Sequence, residues 1–463
     1  MTPALRTSAL GAPAGSLAEL WRLAGPVIGS RLGIMAMGLT DAVVVGQYSA
    51  EELGYHALGW APTSAVLVAG IGLLAGVQVL TARHLGAGRP EQTGAVLRRG
   101  IAYAVWLGLG FTLLVWLAGP AALSRLSLEP ALLAGATGVM LVFALSMTPY
   151  LVADAMIFWL EAHGRAAWPL AAMWAANLVN LGLDLWMVPG HSPFGVAGAE
   201  AAAWATLGSR TALMLFLAAF ILRWPAARAF GLFRPAPRDP AAAAEQRRIG
   251  YASGASYAVE AGAFAALSVV AALSGTLAVA AWAVVINVAS IVFMLPMGLA
   301  TATAVFVSRA VGAGHAPAMV RAFRLGMANT IAVLVLVSLA IALGAEAVAR
   351  AYTAHPRVLP AIAGALLLSS LFFVADGMQA VAAAALRARG DIWWPTAMHV
   401  ASYAVLMLPL AFLLSYRMGR GLDGIVLAVI AASLVSATLL TARFLLLGRR
   451  LPDVRALARA GAA

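Results

Sequence analysis

Twelve stretches of apolar and small residues, each long enough to cross a bilayer, are separated by short polar breaks. They fall near 18–45, 53–80, 96–118, 131–160, 167–189, 196–222, 250–273, 279–308, 321–344, 358–385, 393–415 and 424–447. At about 1.5 Å of rise per residue, roughly twenty residues traverse the hydrocarbon core. The pattern predicts an all-α integral membrane protein with twelve transmembrane helices. Run length and the Ala, Leu and Gly content exclude a membrane β-barrel.

Composition agrees with the pattern. Of 463 residues, 63% are hydrophobic and 10% charged, and the mean hydropathy is +0.91. No soluble domain of this size has that balance. The segment 1–16 lacks a cleavable-signal pattern, so no cleavage is expected. There is no cysteine, so the redox compartment leaves no trace in the chain.

The net charge of +12 raises the question of nucleic acid, and its distribution answers it. With both termini cytoplasmic, the inner loops and tails hold 23 of the 30 arginines: Arg6 and Arg22, Arg83 to Arg99, Arg165, Arg223 to Arg248, Arg309 to Arg324, Arg387, Arg389, and Arg443 to Arg459. The outer loops hold Arg125, Arg350, Arg357, Arg417 and Arg420. This is the positive-inside rule. The excess is a topology signal with contact to anionic lipid, and no nucleic-acid partner is expected.

The chain also repeats itself. GLLAGVQVLTARHLGAG (Gly72 to Gly88) and GLATATAVFVSRAVGAG (Gly298 to Gly314) align at a shift of 226. The same shift aligns LEAHGRAAWP with LRARGDIWWP, and GVAG with GLDG. The expected organisation is an N-terminal lobe over 1–222, a cytoplasmic linker over 223–249 and a C-terminal lobe over 250–463. Each lobe holds six spans, so both insert the same way round. The two are then related by a pseudo-twofold axis along the membrane normal, around a central cleft. That is the plan of a secondary transporter, not of an enzyme. No GxxxxGK[ST] loop occurs, so the chain has no phosphate cradle for ATP. Gly86-Ala-Gly88 reads as a turn after a helix.

Charges inside the spans are the candidates for function, because an acid at mid-membrane costs roughly 2.5–3.5 kcal/mol on insertion scales. Glu260 stands alone within IGYASGASYAVEAGAFAALSVVAAL. Asp41 lies late in the first span. Asn177, Asn180 and Asp184 lie three and four residues apart on the fifth, hence on one face. An Asp beside Asn donors and a second Asp suits proton sharing; a static polar cluster is the alternative. Asp376 and Gln379 share a face of the tenth span. If Asp376 approaches Glu260, the two would bind one proton, or one Na⁺ through oxygen.

Arg31 lies ten residues before Asp41, about 15 Å along a helix, and needs a different partner. That partner is expected in the sixth span or second lobe, unless Arg31 snorkels to the inner interface. Glu161 and His163 are expected at that interface, and His399 reads as a packing residue. Pro26 and Pro296 are candidate gating kinks.

Together, LAGPVIG, GLTDAVVVG, NLVNLGLD, VEAGAF, INVASIVFMLPMGLATA and ADGMQAV resemble, in order and spacing, the multidrug and toxic compound extrusion (MATE) family. The likeness covers nearly the whole chain and is closest to the NorM-like bacterial branch. It implies an antiporter of the bacterial inner membrane that exports small cationic amphipathic substrates in exchange for H⁺ or Na⁺, with no further cofactor. A monomer is expected. The resemblance places first-lobe coupling on Asp41, Asn180 and Asp184, with Asn177 on the same face. It places second-lobe coupling on Glu260 and Asp376, with Asn287 and Gln379 beside them.

Phe372 and Ala283 stand where NorM-like members carry a Tyr and a Gln. Both changes remove oxygen ligands, which argues against Na⁺ at Glu260 and Asp376. Asp184 resembles the proton site of the DinF-like branch, so H⁺ is the expected coupling ion. The alternative is a flippase for a lipid-linked or anionic substrate, supported by Arg31 and Arg210.

Overall fold

The computed structural model describes residues 16–126, 128–234, 239–356, 358–448 and 450–451. The described residues are helical and contain no strand. Twelve helices are long and apolar enough to cross a membrane. They are α1 (Leu17–Tyr48), α2 (Ala50–Gly86), α3 (Pro90–Ser124), α4 (Pro130–Ala162), α5 (Ala167–His191) and α6 (Gly198–Arg223), then α7 (Pro240–Leu273), α8 (Thr276–Gly312), α9 (Ala316–Tyr352), α10 (Val358–Arg389), α11 (Trp393–Arg417) and α12 (Gly421–Leu447). All twelve predicted spans are present. Arg6, Arg238, Arg357, Arg449, Arg455 and Arg459, which entered the topology argument, lie outside the described residues, as does most of segment 1–16.

One boundary differs. The linker was expected to run to 249, but α7 begins at Pro240. Asp239 caps it, Oδ1 accepting from the Ala242 N–H at 2.9 Å, and Pro240 occupies the first turn. The alanines that follow, with Glu245 and Gln246, are strong helix formers, so the arginine-rich stretch winds into the helix. The part of the linker that stays irregular is pinned to the first six helices. Arg98 donates to the carbonyls of Gly231 (2.6 Å) and Leu232 (2.5 Å). Trp224 and Phe230 pack on Trp159.

Buried apolar residues form one large cluster mostly within α1–α6 and another within α7–α12. A third joins α1, α4, α8, α9, α10 and α12 near their linker-side ends. The crossings between the two sets of helices use glycine. A Cβ on Gly76 of α2 would lie 2.0 Å from the Gln246 carbonyl oxygen of α7. On Gly298 of α8 it would lie 2.4 Å from Ile28 Cγ1 of α1. Both α1 and α8 continue unbroken through Pro26 and Pro296, which flank that crossing.

The repeated GAG motif has two jobs. Gly88 and Gly314 each take φ 69°, the left-handed conformation that turns the chain out of α2 and α8. Gly86 and Gly312 do something the turn reading missed: they let α2 and α8 touch. A Cβ on Gly86 would lie 2.0 Å from the Arg309 carbonyl oxygen, and one on Gly312 would lie 2.0 Å from that of Arg83. The 226-residue shift carries one contact onto the other. Gly86→Ala should therefore push α2 and α8 apart, at a cost of about 1–3 kcal/mol typical of overpacking. A fall in the melting temperature of the detergent-solubilised protein checks this, and Gly110→Ala, where a Cβ meets nothing within 4 Å, is the control.

Candidate functional site

The first polar cluster forms where α1, α2, α5 and α6 meet. Asp41 (α1) and Asp184 (α5) are buried, and their carboxyls lie against each other. Thr206 of α6 donates to Asp41 Oδ2 at 2.7 Å, and His56 Nε2 of α2 lies 3.9 Å from the same oxygen. Asp41 Oδ1, both oxygens of Asp184 and both polar atoms of Asn180 receive or make no hydrogen bond within the protein. Two neighbouring carboxyls that share a single hydroxyl donor, with three oxygens left over, are satisfied by one shared proton or by a cation. Asn177, predicted on the same face, has another task. Its Nδ2 donates to the carbonyls of Gly33 (3.0 Å) and Met173 (2.8 Å), tying α5 to α1.

The second cluster joins α7, α10 and α11. Gln379 Nε2 donates to Glu260 Oε1 at 3.2 Å and to Asp376 Oδ1 at 3.4 Å, so the proposed acid partners are bridged by an amide. Tyr403 of α11 donates its hydroxyl to Asp376 Oδ1 at 3.3 Å. A tyrosine hydroxyl thus reaches this acid although Phe372 has none; Phe372 packs on Phe373.

Asn287 does not join this cluster. It is exposed, and its Oδ1 accepts the Tyr352 hydroxyl at 2.7 Å. Its place in the predicted set is corrected accordingly: it lies on α8 against the end of α9.

His399 is more than packing. Its Nδ1 lies 2.7 Å from Ser256 Oγ and 4.0 Å from Glu260 Oε2. Ser256 Oγ also accepts from Arg387 Nη2 at 2.5 Å. Arg387, counted with the inner-loop arginines, is buried in the last turn of α10. Asp376, Gln379 and Arg387 follow one helical stripe, a spacing visible in the sequence.

Between the two clusters, Arg31 of α1 finds its partners on α4, neither on the sixth span nor in the second lobe. Asp154 Oδ1 is 3.6 Å away and Glu161 Oε1 3.7 Å away. Both acids are fully buried, so Glu161 does not reach an aqueous interface as expected; it accepts from Gln78 at 2.8 Å. His163 is buried too, against the Trp159 carbonyl (2.8 Å) and the Thr93 hydroxyl (3.2 Å). Arg210 is held between the rings of Trp60 (5.3 Å) and Tyr150 (4.9 Å) and donates to Ser146 at 2.7 Å. A cavity of about 70 Å³ lies where the two sets of helices face each other, lined by Arg31, Gln78, Tyr257, Glu260, Gln379 and Arg387 with Phe158, Phe293 and Met297.

A twelve-helix bundle with a buried acid cluster in each set of six helices and an internal cavity where the two sets meet is the build of a multi-pass transporter. The MatE family profile matches residues 26–186 and again residues 252–413, two segments that begin 226 residues apart. A NorM-named multidrug resistance protein of Caulobacter vibrioides is 49% identical over 434 residues, covering 94% of this chain and 92% of the relative. One from Mesorhizobium japonicum is 29% identical, covering 96% and 99%. The fold matches a multidrug resistance MATE family transporter of the MOP superfamily solved in an outward-facing conformation, with TM-score 0.85 and 19% identity over 99% of this chain and 100% of the other. It also matches the eukaryotic MATE transporter AtDTX14, with TM-score 0.84 and 18% identity over 96% and 97%. The chain belongs to the MatE family of membrane transporters.

Proposed function

We propose that this protein is a proton-coupled multidrug efflux antiporter of a bacterial cytoplasmic membrane, with termini and linker on the cytoplasmic side. The observation that carries the reading is the contact of Asp41 with Asp184, two acids in the membrane interior with no donor for Asp184. Such a pair holds a proton readily and gives it up when the surroundings change. Glu260 has the complementary role. It lines the cavity beside Phe158, Tyr257, Phe293 and Met297, a wall that takes flat or greasy cations with little selectivity.

In the cycle, a cationic substrate sits against Glu260. Protonation of the Asp41–Asp184 pair from outside favours the state that releases it, and deprotonation toward the cytoplasm resets the pair. Substrate and proton are coupled because each binds the two states with different affinity. The anionic-substrate alternative loses its support from the arginines. Arg31 is outnumbered by Asp154 and Glu161, and Arg210 is engaged by two rings and a serine.

Ethidium uptake into inverted membrane vesicles tests the reading, with a pH gradient and a Na⁺ gradient imposed separately. The pH gradient alone should drive uptake. Uptake driven by Na⁺ alone would assign the unpaired oxygens of Asp41, Asp184 and Asn180 to a metal cation. No uptake of any cationic dye under either gradient would remove the efflux reading. Glu260→Gln should weaken ethidium binding about tenfold, or ~1.4 kcal/mol. Fluorescence titration of the purified protein measures that loss.

A further inference from the structure

The linker-side seam between the two sets of helices carries a pair of contacts that coupling chemistry does not use. Arg83, near the end of α2, donates through Nη2 to the Ala388 carbonyl at 3.3 Å, in the last turn of α10. Arg309, near the end of α8, donates through Nη2 to the Ala162 carbonyl at 2.7 Å, at the end of α4. The 226-residue shift carries Arg83 onto Arg309 and Ala162 onto Ala388. Each half of the molecule therefore sends one arginine across the seam to the C-terminus of the same helix in the other half.

The acids follow the same symmetry. Arg83 Nη1 pairs with Glu245 Oε1 of α7 at 2.7 Å, and Arg309 lies in the field of Glu19 of α1. Glu19 and Glu245 are again 226 residues apart. The carbonyls in a helix's last turn lack intrahelical partners and carry the negative end of the helix dipole, which makes them natural acceptors for a guanidinium. Gly86 and Gly312 let α2 and α8 come close enough for both reaches.

We propose that Arg83 and Arg309 are positioning residues of the transport cycle: reciprocal latches that hold the linker-side seam shut only while both are made, so that release of either one lets the seam swing open about the other. Two equivalent bonds placed either side of a pseudo-twofold axis resist the rocking of one half against the other. A lone bond would act as a pivot. The latches work through the seam, not through the coupling acids, so the inference goes beyond the proton reading and stands or falls separately from it.

The test uses distance measurement between two spin labels on the closed seam. The chain has no native cysteine, so Arg89→Cys with Pro317→Cys gives one label on each half, at exposed positions beside α2 and α9. The unaltered seam should give one dominant short distance. Arg83→Gln with Arg309→Gln should raise the share of a longer distance at least severalfold, and Lys at both positions, which still donates, should reverse most of that change. An unchanged distribution in the Gln pair overturns the latch, as does a Lys pair that opens as far as the Gln pair. If the Gln pair fails to fold, each single Gln variant is measured instead. An unchanged distribution in both singles is equally fatal, and a longer distance in each supports the latch. These distances are read without a gradient or substrate, so failure of proton coupling does not alter them.

Discussion

Asp184→Asn is expected to abolish pH-gradient-driven efflux while leaving dye binding in place. The substitution keeps the shape of the side chain and removes its proton site. It leaves Asp41 with Thr206 and an amide neighbour, a satisfied pair that no longer needs a shared proton. Coupling free energies between two ligands are typically 1–3 kcal/mol, or 5- to 150-fold in affinity, and all of the part carried by this pair should vanish. Uptake of ethidium into inverted vesicles under a pH gradient should fall to roughly a tenth or less of the unaltered rate, while the fluorescence titration of dye shifts little. The contrast with Glu260→Gln is the informative part, because that variant should lose dye affinity first. If Asp184→Asn transports normally, the first cluster is a static polar contact and the coupling site is elsewhere.

Arg31→Met should give the largest loss of stability of any single substitution near the cavity. It strands Asp154 and Glu161, two fully buried acids that the arginine holds at 3.6 and 3.7 Å. Breaking a buried ion pair by removing one partner typically costs about 3–5 kcal/mol, because an uncompensated charge is left behind. The triple variant Arg31→Met with Asp154→Leu and Glu161→Gln should recover most of it, since apolar replacements of a whole buried network are often neutral. Glutamine is kept at 161 to face the Gln78 amide. Thermal denaturation in detergent separates the two. A single variant as stable as the parent would mean the acids are protonated and the arginine is not their counter-ion.

The helices were legible because membrane spans are written in long apolar runs, and the internal repeat was legible because its glycines and arginines keep their spacing. Acid identities were legible for the same reason: Asp41, Asp184, Glu260 and Asp376 stand out against an apolar background. Partners were much less so. Thr206, Tyr403 and His56 reach the acids from other helices, and neither a threonine nor a tyrosine in a span carries any mark that it is turned toward a carboxylate. Arg387 was hidden by the positive-inside pattern, where an arginine at a helix end reads as topology. Asn287 failed in the opposite sense: a polar residue at a familiar place in the order of motifs was assigned to a site that its helix turn does not reach.

Proton counting on the purified protein separates a coupling pair at Asp41 and Asp184 from a static polar contact. Ethidium is added in excess to the detergent-solubilised protein in weak buffer with a pH indicator. Release of about one proton per bound dye is expected from the unaltered protein, as for one coupled titrating pair. No release is expected from Asp41→Asn with Asp184→Asn, which still binds dye. Equal proton release from both proteins would place the coupling proton outside the Asp41–Asp184 pair.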